Sequence, residues 1–130
     1  MTPTDTSKSA PYKPTTVLEN TGNTITVNNN CKTGVSVDVQ VTDTSAPDGF
    51  SDNVLTDFYW KVSNNAAQFS PANGVTSYNK FSGTGDDGTV QVGSTSNPAR
   101  FTFETDYKYV IDNKDIGGDY SVSLQYTVTG

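Results

Sequence analysis

"DNKDIGGDYSVSLQYTVTG" occupies residues 112–130, and its second half decides the fold. From Tyr120 to Val128 the residues alternate without a break. Tyr120, Val122, Leu124, Tyr126 and Val128 fall on one face, and Ser121, Ser123, Gln125 and Thr127 on the other. Successive side chains of a strand point to opposite faces, so this pattern predicts a β-strand with one buried face. The stretch ahead of it, with Gly117 and Gly118 set among aspartates, reads as a turn.

The same period recurs along the chain. "RFTFETDYKYVI" (100–111) keeps Phe101, Phe103, Tyr107, Tyr109 and Ile111 in phase, which predicts a strand about 35 Å long. "GVSVDVQVT" (34–42) places four β-branched residues, Val35, Val37, Val39 and Val41, on one face. In "DFYWKVS" (57–63), Phe58, Trp60 and Val62 share a face, and the single tryptophan reads as a core anchor. "TTVLEN" (15–20) and "TITVN" (24–28) flank "TGN", predicting a hairpin in which Gly22 supplies the positive φ. Shorter strands are expected at "AAQFS" (66–70), "VTSYNKF" (75–81) and "TVQVG" (89–93). Pro47 with Asp48-Gly49, the loop Pro71–Gly74, and "GTGDDG" (83–88) supply turns between them.

This spacing predicts an all-β domain: an antiparallel β-sandwich, immunoglobulin-like or jelly-roll-like, of seven to nine strands with no helix. Residues 1–16 carry three prolines and no apolar period, so they are read as an extended N-terminal arm on a single domain of residues 17–130. The long aromatic strand, the glycine-containing turn and "GDYSVSLQYTVTG" together resemble the last two strands of immunoglobulin-like sandwich modules in virion and cell-surface structural proteins. The likeness covers residues 100–130 and extends to "TGNTITVNNN" and "VSVDVQV". It implies a sandwich fold and a non-enzymatic role, and it transfers no site residues.

Composition narrows the chemistry. The chain has 130 residues, a net charge of −6 and no histidine. A phosphate backbone would be repelled, so no nucleic-acid partner is expected. Without histidine there is no Ser-His-Asp or Cys-His catalysis, and Cys31 alone makes neither a zinc site nor an intrachain disulfide. The acidic turn "GTGDDG" is no phosphate cradle. Glu19 and Glu104 are the only glutamates and read as surface charge. Asp112, Asp115 and Asp119 are the candidate ligands for a structural calcium ion, although Lys114 stands where an EF-hand loop needs an oxygen. No other cofactor is expected, and no stretch is long and apolar enough for a membrane span.

These readings predict a non-enzymatic structural subunit of a large assembly. The leading expectation is a virion-surface protein, such as a phage capsid decoration or fibre component, docking by its arm and a sheet edge or loop end. The partner is then a capsid lattice. The alternative is an extracellular or cell-surface filament or matrix subunit, its signal peptide removed, that polymerises on copies of itself by strand addition. Tyr12, Val17 and Leu18 are the candidate partner-binding residues. A third expectation is a carbohydrate- or ligand-binding module using Tyr12, Tyr59, Tyr78 and Trp60. Removing residues 1–16 is expected to leave a folded domain that has lost docking; circular dichroism of the truncated chain reads the first part.

Overall fold

The valine row of residues 34–42 does form a strand, and it lies at the centre of the domain. The computed structural model describes residues 16–29, 33–97, 100–111 and 115–130. Seven strands run in the order β1 (Thr16–Val27), β2 (Ser36–Ser45), β3 (Phe58–Asn65), β4 (Ser70–Pro71), β5 (Val90–Ser94), β6 (Phe101–Ile111) and β7 (Ser121–Thr129). They make two antiparallel sheets, β1-β6-β3 and β4-β5-β2-β7. Among the described residues the helices are two short 3₁₀ turns, Val54–Thr56 and Gly85–Gly88. The expected all-β sandwich is therefore the fold. Strand β1 opens at Thr16, one residue before the boundary placed at 17.

One sheet is lined on its inner face by the valines of β2, with Val37 and Val41 fully buried. The other presents aromatics: Phe58 and Trp60 from β3, and Phe101, Phe103 and Tyr109 from β6. Trp60 is 0 % exposed and stacks on Phe81 at 5.4 Å, as expected of a core anchor. Its indole Nε1 has no hydrogen-bond acceptor among the described residues, so the ring is held there by hydrophobic contact.

The strand order at the two ends of the chain is not that of an immunoglobulin sandwich. There the first strand belongs with the second and fifth, and the last with the third and sixth. Here β1 lies beside β6, and β7 lies beside β2. Strands β1 and β7 are edge strands.

Three expectations need correction. Residues 15–28 form no hairpin, because both halves of β1 pair with β6. Asn20 faces Tyr107 and Asn23 faces Thr105, so Thr21 and Gly22 stand against Asp106 alone as a bulge. Gly22 does take a positive φ of 73°, and its N–H donates to Asp106 Oδ1 at 2.9 Å. A glycine in that conformation serves a bulge as readily as a turn. Residues 66–70 contribute only Ser70 to a strand, since Phe69 turns inward to stack on Phe101 and Phe103 at 5.2 and 5.0 Å. Residues 75–81 make a single bridge, Asn79 to Trp60, in place of a strand. By contrast, the Asp48-Gly49 reversal is present: Gly49 has φ 88° and Phe50 N donates to Pro47 O at 3.1 Å.

Gly93 lets β5 and Phe69 pack this closely. A Cβ there would collide with Phe69 Cζ and come within 2.5 Å of Ser70 O. Gly93→Ala is expected to destabilise the domain by about 1–3 kcal/mol, the usual range for overpacking. A lowered urea midpoint with unchanged slope would show it.

Candidate functional site

Sheet edges carry unpaired backbone groups, and each edge of a sandwich is either guarded or available. The β3 edge is guarded: Trp60 N and O bond Asn79 at 2.9 Å each, and Val62 N donates to Val75 O at 2.8 Å. On the opposite side, β1 carries Glu19 and the Thr21–Gly22 bulge, both of which discourage an incoming strand. Strand β7 is different. Its sequence SVSLQYTVT has no charge, no proline and no glycine, and the irregularity in its pairing with β2 falls between Val41 and Asp43, on the β2 side. Among the described residues no backbone group pairs with its outer edge.

Burial across this sheet shows the same openness. Val37 and Val128 are register partners, yet Val37 is 0 % exposed and Val128 is 44 % exposed. Val122, Leu124 and Tyr126 are likewise only half-buried, although Val41 and Val39, the β2 partners of Leu124 and Tyr126, are sealed. In the facing sheet, Leu18 and Ile25 of β1 are half-buried opposite the buried Tyr109 and Phe103. Inward apolar side chains along both edge strands thus stay partly open to solvent. Between them lies a cleft of about 260 Å³ lined by Asn20, Val54, Phe58, Tyr107, Tyr109, Tyr120, Val122 and Leu124.

The polar ends of the cleft's tyrosines are already bonded. Tyr109 OH donates to Asp115 Oδ1 at 2.7 Å. Tyr107 and Tyr126 share a hydroxyl–hydroxyl bond at 2.7 Å, and Thr105 Oγ1 donates to Tyr107 OH at 2.9 Å. Tyr120 OH accepts from Ile116 N at 2.9 Å and donates to Ile116 O at 2.6 Å, closing the turn before β7. Burial, with the hydrogen bond and charge of Asp115 added, pushes the Tyr109 phenol far above its ordinary range. Burial, then Tyr107, raises Tyr126 in the same direction. Phenols that hold their protons so firmly are poor bases and nucleophiles; the cleft offers an apolar surface with its polar groups satisfied.

The predicted site residues are dispersed. Asp115 is fully buried against Tyr109, while Asp119 is exposed in the turn. Asp112, Tyr12 and Cys31 lie outside the described residues. Among the described residues no group of three His, Cys, Asp or Glu side chains is placed to hold a metal ion. Leu18 lies on the inner face of β1 opposite Tyr109; Val17, opposite Val110, points to the outer face and is 38 % exposed. Sequence reasoning did not single out Val122, Leu124 and Val128 as an exposed set. The lack of charge in β7 was the available signal, but only the strand order shows that β7 is an edge.

A second surface lies on the outer face of the β1-β6-β3 sheet. Lys108 sits 5.0 Å over the Tyr59 ring and 4.3 Å over Tyr78; Lys61 covers Tyr78 at 4.5 Å and Lys80 covers Tyr59 at 5.0 Å. Desolvation, then Asp106 and Glu19, raises the Tyr78 phenol. These ring faces are occupied by ammonium groups, so a sugar would have to displace them before stacking. Trp60 is buried and offers no ring face at all. No helix among the described residues is long and apolar enough to cross a membrane.

No protein-family model matches the chain, and no match was found among curated proteins or solved structures.

Because the folded-state values of Tyr109 and Tyr126 lie above the unfolded value of about 10, the stability they contribute is fully present below that pH. It is lost as the pH climbs from there towards the folded-state values. Urea midpoints are expected to hold up to about pH 10 and then fall. Tyrosinate absorbance should show these two phenols ionising only with unfolding. Asp115→Ala, which strands the Tyr109 hydroxyl, is expected to cost about 1–3 kcal/mol at neutral pH in the same melts.

Proposed function

We propose that this chain is a non-enzymatic structural subunit that builds a larger assembly by strand addition to β7. The uncharged, unbulged edge of β7, unpaired among the described residues, carries the reading. An added strand would satisfy its free N–H and C=O groups by ordinary ladder bonds. Its alternate side chains would cover the half-open row of Val122, Leu124, Tyr126 and Val128. Such an edge invites uncontrolled association unless it has a dedicated partner.

Of the two kinds of assembly expected from the sequence, this observation favours self-association into a filament or matrix over decoration of a capsid lattice. Docking on a lattice needs only an exposed patch of any kind, whereas strand addition needs an open edge backed by an apolar cleft. The net charge of −6 keeps the bodies of neighbouring subunits apart except where specific pairing overcomes repulsion.

A lysine pointing inward at an edge is a known block to strand addition. Val128→Lys places one at a site that is already 44 % exposed, so the fold is expected to survive with a stability change within about 0.5 kcal/mol. Assembly of the full chain, followed by light scattering and electron microscopy, should be abolished. Val17→Lys, on the outer face of β1, should assemble normally. The reverse pattern, or a full chain that remains monomeric at every concentration, would overturn the reading.

A further inference from the structure

We infer that the strand added to β7 is residues 1–15 of a second copy of this chain, with Tyr12 seated in the cleft between the sheets. The inference rests on the strand-addition reading above and names its occupant. Three observations select this segment. The first is where it is attached: β1 begins at Thr16, opposite Ile111, so residues 1–15 are joined to an edge strand that borders the cleft. Fifteen residues exceed the nine of β7, and at about 3.3 Å per residue in a strand they can reach along it fully.

The second is charge. Residues 1–15 hold Lys8 and Lys13 against a single Asp5, so the segment is net positive in a chain whose total is −6. The segment is therefore attracted to the body of another subunit, whereas a second body is repelled by it. The third is pattern. Ala10 and Tyr12 lie two apart, with Pro11 between them and Lys13 following. In an extended segment Ala10 and Tyr12 face one way, Pro11 and Lys13 the other. An aromatic ring entering a cleft walled by Phe58, Tyr107, Tyr109 and Leu124 has the offset and edge-to-face partners that such rings prefer.

Prolines select donation to a neighbour over folding back. To reach its own β7 the segment would have to reverse immediately before Thr16 and cross the roughly 10 Å between sheets. Pro11 and Pro14 fix φ near the extended range and bias the residues before them to the same region. Folding back would need a reversal at Pro14 that donation to a neighbour does not.

Disulfide trapping in the full chain tests this. Two full-length proteins in a Cys31→Ser background, one carrying Tyr12→Cys and the other Val122→Cys, are mixed and oxidised; Val122 lines the cleft. A mixed dimer is expected, and a chain carrying both substitutions should give a ladder of covalent multimers. Tyr12→Ala should raise the concentration needed for half-assembly by at least about tenfold, the ordinary cost of removing a buried aromatic anchor. A fast-migrating monomer from the double variant means donation within one chain and overturns the inference. Multimers that Val128→Lys abolishes, but that neither trap at Tyr12 nor respond to Tyr12→Ala, also overturn it while leaving the open edge intact. A chain that never associates removes the strand-addition reading itself.

Discussion

One contact organises this domain: the valine row of β2 pressed against the aromatic row of β6 and β3. Val37, Val39 and Val41 are at most 1 % exposed, and Trp60, Phe101, Phe103 and Tyr109 at most 2 %. Branched side chains make a stiff, even surface on one sheet, and large rings fill the gap to the other. Because the two sheets differ in width, three strands against four, this contact can be central to both without every strand having a partner opposite. Strands β1 and β7 lie at the margins of the two sheets. Their inner side chains are apolar because they border the core, and half-open because nothing described covers their outer margin. The core and the cleft are one packing arrangement seen from two places.

The polar groups near the core obey the same economy. A buried carboxylate without partners would be strongly disfavoured, and Asp115 is fully buried. It accepts the Tyr109 hydroxyl, while Tyr120 holds the turn at Ile116 by bonding both its N–H and its C=O. Tyrosine suits these positions because the ring adds to the apolar layer and the hydroxyl reaches the turn. The price is alkaline sensitivity, since burial and Asp115 hold the Tyr109 phenol far above its ordinary range.

What could be read in the sequence was whatever depends on local alternation. The strands around Val35–Val41, Phe58–Val62, Phe101–Ile111 and Tyr120–Val128 follow directly from period two, and the absence of α-helix follows with them. Local signals failed where one residue type serves two conformations. Gly22 marks a positive φ, but whether the chain reverses there or bulges is settled by β6, more than eighty residues away. Val75 and Phe81 are apolar, both buried and, six residues apart, in phase for a strand, yet the segment between them only covers the β3 edge through Val75 and Asn79. Asp115 looked like a turn aspartate because nothing local reveals the phenol it meets. The cleft was the least legible feature, because an edge is a property of strand order, and order is fixed by pairings between distant segments.

The long ladder between β2 and β7 has a mechanical consequence. It runs from Ser36 opposite Thr129 to Ser45 opposite Ser121, with the two strands antiparallel and their backbone bonds perpendicular to the chain. A pull applied to β7 along its axis is shared by all of these bonds in shear. A pull at right angles, lifting one end, would meet them one after another, as in a zipper. The domain is therefore stiff against tension along the strands and weak against peeling, so a subunit held at β7 would bear load well in one direction only.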